Sequence, residues 1–173
     1  MSVGVQAAQN ILLKRLGRIH TWEEAREGIE ALRRAGFRSV SVDLMMGLPG
    51  QSLEDWVDTL AKIIALDVEH ISCYSLILEE GTPFYREEAA GKLPLPSDEE
   101  ERRMYHTAVR QLETGGYRQY ELSNFAKPGY ACLHNLCYWD LTPYLGLGLG
   151  ASSYVEGMRF HNTEDMELSL IHI

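Results

Sequence analysis

The stretch that most constrains the fold is Ser39–Gln51, which reads as a strand, a glycine-rich turn and the approach to a helix. Apolar and polar residues alternate through its first six positions, as they do in a strand with one buried face. Barrels of the α/β class place their chemistry where an acidic side chain near the carboxyl end of a strand precedes such a loop. Asp43 is therefore a candidate ligand-binding residue. An ordinary aspartate that stabilises its own turn is the alternative.

Strand and helix patterns alternate on both sides of this stretch. Thr21 and Glu24 form the signature of a capping box, and Ser52 is a second helix cap. The predicted elements of the first half are strands at Ser2–Gln6, Ser39–Leu44 and His70–Leu76, and helices at Asn10–Leu16, after Thr21 and after Ser52. Units of about 30 residues predict a parallel sheet with right-handed crossovers.

The second half has a different pattern. Ser97 and Glu100 predict a capped helix that ends at the glycines 115 and 116. Short extended segments are predicted around Gln119–Leu122, and a hairpin is predicted with its turn at Glu156 and Gly157, between Ser153–Val155 and Met158–His161. These residues alone predict part of an α/β barrel followed by an additional C-terminal segment.

Composition excludes several classes of function. The net charge of −9 argues against nucleic-acid binding and against direct attraction to anionic membranes. No apolar run approaches the roughly 20 residues of a membrane span. The sequence contains three cysteines without a disulfide framework, which is typical of a reducing cytosol. We therefore expect a cytoplasmic protein that reaches a membrane only through a partner.

Three motifs of the second half contain residue types that could carry chemistry. The G-x-G-x-G run at Gly146–Gly150 lacks the spacing of a dinucleotide fingerprint, so a close backbone approach is the expected role. Cys132, His134 and Cys137 begin a zinc-like pattern without a fourth ligand. His134 also precedes the aromatic pair at positions 138 and 139, which suits a flat macrocycle with an axial ligand. A packed loop with one hydrogen-bonded histidine is the alternative.

Several motifs in order resemble one protein family. They are Gly4–Gln6, Leu13–Arg18, Asp43–Gln51, His70–Leu76, Glu80–Pro83, Tyr120–Ala126 and His134–Trp139. Together these resemble the oxygen-independent coproporphyrinogen III oxidase family of radical S-adenosylmethionine (SAM) proteins, and within it the HemW-type branch of haem chaperones. The resemblance implies the C-terminal part of a partial (β/α)₆ barrel and the start of an α+β C-terminal domain.

The resemblance also implies roles for single residues. Gln6, Arg18, Asp43 and the backbone at Ile77 would contact SAM, and His134 would ligate haem. The family's C-x-x-x-C-x-x-C loop, which holds a [4Fe–4S] cluster, is missing from this sequence, and Cys73, Cys132 and Cys137 do not replace it. We therefore expect the cluster only in a full-length parent, and no radical-SAM activity from this chain alone. Many relatives have a histidine where Ser152 stands here, so no role is assigned to that position.

Both ends read as cut, and the sequence predicts three segments. Residues 1–95 form the barrel half, residues 96–167 form the capping segment and the start of the C-terminal domain, and residues 168–173 are an adapter-derived tail. A genuine apolar tail is the alternative for the last segment. Two functions stay open. One is part of a radical-SAM haem chaperone or an oxidase-like relative, with haem or porphyrin and a haem-accepting protein as partners. The other is a cluster-free binding or scaffold domain that retains part of the SAM pocket.

Overall fold

The computed structural model describes residues 1–171. The elements in chain order are β1 (Ser2–Gln6), α1 (Asn10–Arg15), α2 (Trp22–Arg34), β2 (Ser41–Met46), α3 (Leu53–Ala65), β3 (His70–Ser75), α4 (Pro83–Ala89), α5 (Asp98–Thr114), β4 (Arg118–Gln119), β5 (Asn124–Ala126), α6 (Leu133–Trp139), β6 (Ser152–Val155), β7 (Met158–His161) and α7 (Met166–Ile171). Within these residues, no helix is long and apolar enough to cross a membrane.

The chain forms two compact units, Met1–Ala131 and Cys132–Ile173. The predicted boundary between residues 95 and 96 stays a prediction. The predicted adapter-derived tail overlaps α7 in residues 168–171, and its last two residues lie outside the described part of the chain.

The first unit contains a five-stranded sheet in the order β1-β2-β3-β5-β4. Strands β1, β2 and β3 are parallel, which confirms the predicted parallel sheet. Strand β5 is antiparallel to β3, and β4 is antiparallel to β5. The predicted extended segment at Gln119–Leu122 has the wrong bounds, because the chain bends after Gln119 and resumes as a strand at Asn124.

Local signals set the starts of the longer helices. Capping boxes are present at Thr21 with Glu24, at Ser52 with Asp55 and at Ser97 with Glu100, and each satisfies two backbone N–H groups. The predicted helix starts are therefore confirmed. The short helices α4 and α6 were not predicted, because seven residues are too few to show a buried stripe.

Helices α2, α3 and α5 pack on one face of the sheet. Their buried residues share one core cluster with alternate residues of the strands: Val42, Leu44 and Met46 on β2, Ile71 and Cys73 on β3, and Phe125 on β5. Trp56 is fully buried in this core, and its Nε1 donates to the Met104 carbonyl at 2.9 Å. Because side chains alternate along a strand, the other face carries the intervening residues. We call it the inner face.

The position of Asp43 in its strand differs from the sequence prediction. The strand was predicted to end at Leu44, but β2 extends from Ser41 to Met46, so Asp43 is its third residue. The ladder continues because Met45 and Met46 pair with residues of β3. Asp43 therefore lies in the first half of β2 on the inner face, and its prediction as a residue near the strand's end is wrong.

The hairpin of the second unit confirms its prediction. Glu156 and Gly157 both have positive φ angles, 52° and 78°, as a two-residue turn of type I′ requires. The backbone at Gly146 lies so close to the hairpin that an added Cβ would meet the Ser152 carbonyl oxygen at 2.2 Å. The Gly146 N–H also donates to the Ser153 Oγ at 3.0 Å. The close backbone approach expected of the G-x-G-x-G run is therefore confirmed.

Gly146→Ala is expected to destabilise the hairpin unit by roughly 1–3 kcal/mol, because a methyl group has no space against backbone atoms. Thermal unfolding followed by circular dichroism, with NMR signals of the hairpin, would measure the loss. Gly28→Ala is the matched control. Gly28 lies inside α2 with open space around its Cβ position, so this change is expected to stabilise the chain by about 0.5–1 kcal/mol. An unchanged hairpin in Gly146→Ala would contradict the packing argument.

Candidate functional site

A row of polar side chains crosses the inner face of the sheet. Strand pairing places Gly4 beside Asp43, Asp43 beside Ser72, and Ser72 beside Asn124. The four strands span roughly 14 Å at the usual strand spacing. Ser72 and Asn124 are 3% and 5% exposed, whereas Asp43 is half-buried. We call this row, together with Gln6, the inner-face row.

Gln6 joins the row through an unusual backbone conformation. Its φ angle is 68°, and the pairing with β2 shifts register between Gly4 and Gln6. The side chain folds back over Gly4, since a Cβ at Gly4 would lie 2.8 Å from the Gln6 Nε2. Gly4 pairs directly with Asp43, so the structure brings two of the predicted SAM residues, Gln6 and Asp43, into one site.

A second set of polar groups lies one step toward the strand starts. His70 is 6% exposed, and its Nδ1 lies 2.8 Å from the Ser41 Oγ while its Nε2 lies 2.7 Å from the Tyr120 hydroxyl. Burial lowers the pKa of His70, and the carboxylates of Asp43 and Glu121 oppose that shift. The imidazole is therefore neutral at pH 7, with both ring nitrogens engaged by hydroxyl groups.

The remaining predicted SAM residues lie elsewhere in the first unit. Ile77 follows β3, is 77% exposed and borders a cavity of about 300 Å³. Arg15, Leu16 and Gly17 also line this cavity, whereas Arg18 does not and has an exposed side chain. Arg15 pairs with Glu87 and lies over the Phe84 ring at 5.2 Å, which ties α1 to α4 beside the cavity. The roles of Arg18 and Ile77 stay predictions.

The thiols of this chain do not suit an iron–sulfur cluster. Cys73 is buried on the helix side of the sheet, and burial raises the pKa of its thiol. Among residues 1–171, no group of three or more histidine, cysteine or acidic side chains is placed to hold a metal ion. The residues present therefore do not fit a [4Fe–4S] cluster.

His134 begins an aromatic series in the second unit. Its ring meets that of Tyr138 edge to face, with centroids 4.8 Å apart, and Tyr138 meets Tyr144 in the same way at 4.8 Å. His134 is exposed, and Trp139 at the end of the same helix is 54% exposed. An exposed imidazole held by a neighbouring ring suits an axial iron ligand, and exposed aromatic faces suit a macrocycle. These residues fit haem, and the role of His134 stays a prediction.

Sequence reasoning missed Asn124, Ser72 and the His70–Tyr120 pair as site residues. All four lie in the motifs that carried the family resemblance, Tyr120–Ala126 and His70–Leu76. The alternation of polar residues in His70–Leu76 was the available signal. Asn124 could be placed only by the antiparallel pairing of β5 with β3, which joins segments about 50 residues apart.

Comparison with known proteins identifies the relationship. Residues 1–63 match the radical SAM superfamily. The chain is 41% identical to the heme chaperone HemW of Lactococcus lactis and 43% identical to that of Bacillus subtilis, in each case over 94% of this chain and 43% of the relative. The chain therefore spans less than half the length of the curated relatives it matches.

A solved structure shows the same fold. The coproporphyrinogen III oxidase HemN of Escherichia coli, described as a radical SAM enzyme, aligns with a TM-score of 0.73 over 96% of this chain and 41% of its own. Sequence identity in that alignment is 21%, so the likeness concerns the fold alone. It confirms the predicted fold class, part of a radical SAM barrel with a further C-terminal segment.

Proposed function

This chain is a homologue of the HemW proteins and carries a radical SAM region, and from this relationship we propose that it is part of a haem chaperone. In this proposal the inner-face row and the cavity lined by Ile77 bind SAM, and His134 binds haem. The observation that carries the haem assignment is the exposed His134 imidazole, whose ring meets that of Tyr138 edge to face on α6, the helix that also carries the exposed Trp139.

The proposed SAM site uses the amide and carboxylate of the row. The Gln6 amide both donates and accepts hydrogen bonds, and the Asp43 carboxylate accepts them, so together they suit the hydroxyl and amino groups of a nucleoside–amino-acid conjugate. Ser2 Oγ donates to the Asp43 carboxylate at 2.8 Å and orients it. When bound, SAM supplies a sulfonium centre; the residues of this chain hold and orient it.

The proposed haem site depends on an imidazole with limited freedom. Tyr138 lies one helical turn after His134 on α6, and its ring meets the imidazole edge to face, which limits the orientations of the imidazole. A neutral ring nitrogen is a common axial ligand for haem iron. Tyr144, which meets the Tyr138 ring, extends this aromatic surface, and Trp139 adds an exposed ring at the end of α6. Haem would supply its own redox and ligand chemistry, and the protein would supply attachment and orientation.

The proposal also covers the cluster and the partner of the longer parent protein. The cluster belongs to a parent that carries the missing cysteine motif, and a haem-accepting protein is the expected partner. We place the protein in the cytoplasm, with membrane contact only through that partner.

A cluster-free scaffold domain is the second candidate, favoured by the poor fit of the cysteines to a cluster. Haem binding does not distinguish the two candidates. SAM binding does distinguish them, because a scaffold needs no SAM.

A haem titration followed by absorbance tests the proposal. The purified chain is expected to shift the Soret band of added haemin and to saturate near one equivalent, because one imidazole is assigned as the ligand. As a control, free imidazole is added to haemin in the same buffer and at the same concentration as the protein. This titration gives the shift expected of an unspecific ligand. A titration that shows only that unspecific shift, without saturation, would reject haem binding by this chain.

A further inference from the structure

Asn124 has an unsatisfied polar atom on the inner face. The residue is 5% exposed, and its side-chain Oδ1 is buried without a hydrogen-bond partner among residues 1–171. Its backbone is held by strand pairing with Ser72, and its carbonyl accepts from the Tyr120 N–H at 3.1 Å. The backbone therefore needs no help from the side chain. A buried acceptor without a partner lowers the stability of the fold, so its presence suggests a role other than stabilisation.

The direction of the side chain follows from the neighbouring residue. Phe125 is fully buried in the core between sheet and helices, so Asn124 lies on the opposite side of β5. That side is the inner face, where Asn124 ends the row that begins with Gln6 and Asp43. The unsatisfied oxygen therefore belongs to the surface that the proposed function assigns to SAM.

The surroundings favour a ligand that donates hydrogen bonds. The Asp43 carboxylate and the Asn124 Oδ1 are both acceptors, and Glu121 adds a second carboxylate near His70. His70 carries no charge at pH 7, because burial lowers its pKa and its ring nitrogens meet the hydroxyl groups of Ser41 and Tyr120. The row is thus acidic and rich in acceptors, which suits a hydroxyl or ammonium group.

From these observations we infer that Asn124 is a ligand-contacting residue that accepts a hydrogen bond from a hydroxyl or ammonium group of bound SAM. The inference rests on the proposed function and adds to it a fourth strand of the sheet, β5, which pairs antiparallel with β3. SAM offers such donors at two places, the ribose hydroxyls and the amino-acid ammonium. Asp43 and Asn124 lie on either side of Ser72, so one ligand lying along the row reaches both.

Calorimetric titration of the chain with SAM tests the inference. Asn124→Leu is expected to weaken SAM binding about tenfold, the effect of one lost hydrogen bond to a polar ligand. Titrations with adenosine and with L-methionine identify the donor: loss confined to adenosine indicates a ribose hydroxyl, and loss confined to methionine indicates the ammonium group. Gln111→Leu is the matched control, since Gln111 also has a buried oxygen without a partner but lies on α5.

Thermal unfolding without ligand excludes a purely structural role. Leucine removes the unsatisfied acceptor at similar volume, so Asn124→Leu is expected to melt at the wild-type temperature or above it. Wild-type affinity in Asn124→Leu would overturn the inference, and so would a lowered melting temperature combined with weaker binding. If the wild type binds none of the three probes, the SAM assignment itself fails and the inference with it, whereas the haem assignment is judged separately by its own titration.

Discussion

Replacing His134 with alanine is expected to abolish the saturable Soret shift of added haem and to weaken haem binding by more than about tenfold. Changes that only touch the surroundings of a metal ligand already produce effects of 10–100-fold, and this variant removes the ligand itself. His134 is exposed, and its ring meets Tyr138 edge to face at the surface, so the fold should survive its loss. Absorbance titration of wild type and variant, with circular dichroism of both, measures the two effects separately.

Two controls separate this ligand from unspecific histidine binding. His161 is also exposed in the second unit, on β7, so His161→Ala removes an imidazole of similar accessibility and is expected to keep wild-type haem affinity. Tyr138→Leu keeps the imidazole but removes the ring that orients it, and a smaller loss of affinity is expected. Equal haem binding by wild type and His134→Ala would return His134 to the role of a surface residue.

Replacing Trp56 with alanine is expected to lower the free energy of unfolding by about 3–5 kcal/mol, as for other buried aromatic side chains. Trp56 lies on α3 and is fully buried in the core that α3 forms with α5 and the sheet, so its removal leaves a cavity. Its Nε1 also donates to the Met104 carbonyl at 2.9 Å, and that carbonyl would lose its indole partner. Domains are stable by only about 5–15 kcal/mol, so the variant is expected to be partly unfolded at 37 °C.

Urea unfolding followed by circular dichroism measures this loss. Trp56→Phe retains most of the buried ring but not the N–H, so the difference between the two variants separates packing from the hydrogen bond. Ile11→Ala is the surface control: Ile11 is 78% exposed, and a change within about 0.5 kcal/mol is expected. A loss in Trp56→Ala as small as that of Ile11→Ala would show that α3 and α5 are not packed as described.

The sequence by itself determined the local structure of this protein. Thr21, Ser52 and Ser97 each start a helix, because their side chains satisfy the first free N–H groups within three residues of chain. The hairpin turn at Glu156 and Gly157 was predictable for the same reason, since the backbone conformation is set by two adjacent residues. The motif order likewise carried the family resemblance, which the HemW relatives support.

Only the tertiary structure decided which residues meet. The polar row depends on pairing between β1, β2, β3 and β5, and the antiparallel return of β5 brings Asn124 beside Ser72 from about 50 residues away. The folded-back side chain of Gln6 depends on a register shift against β2. The extension of β2 to Met46 depends on its pairing with β3. Such pairing is set by the burial of whole strands against α2, α3 and α5, so no short stretch of sequence contains it.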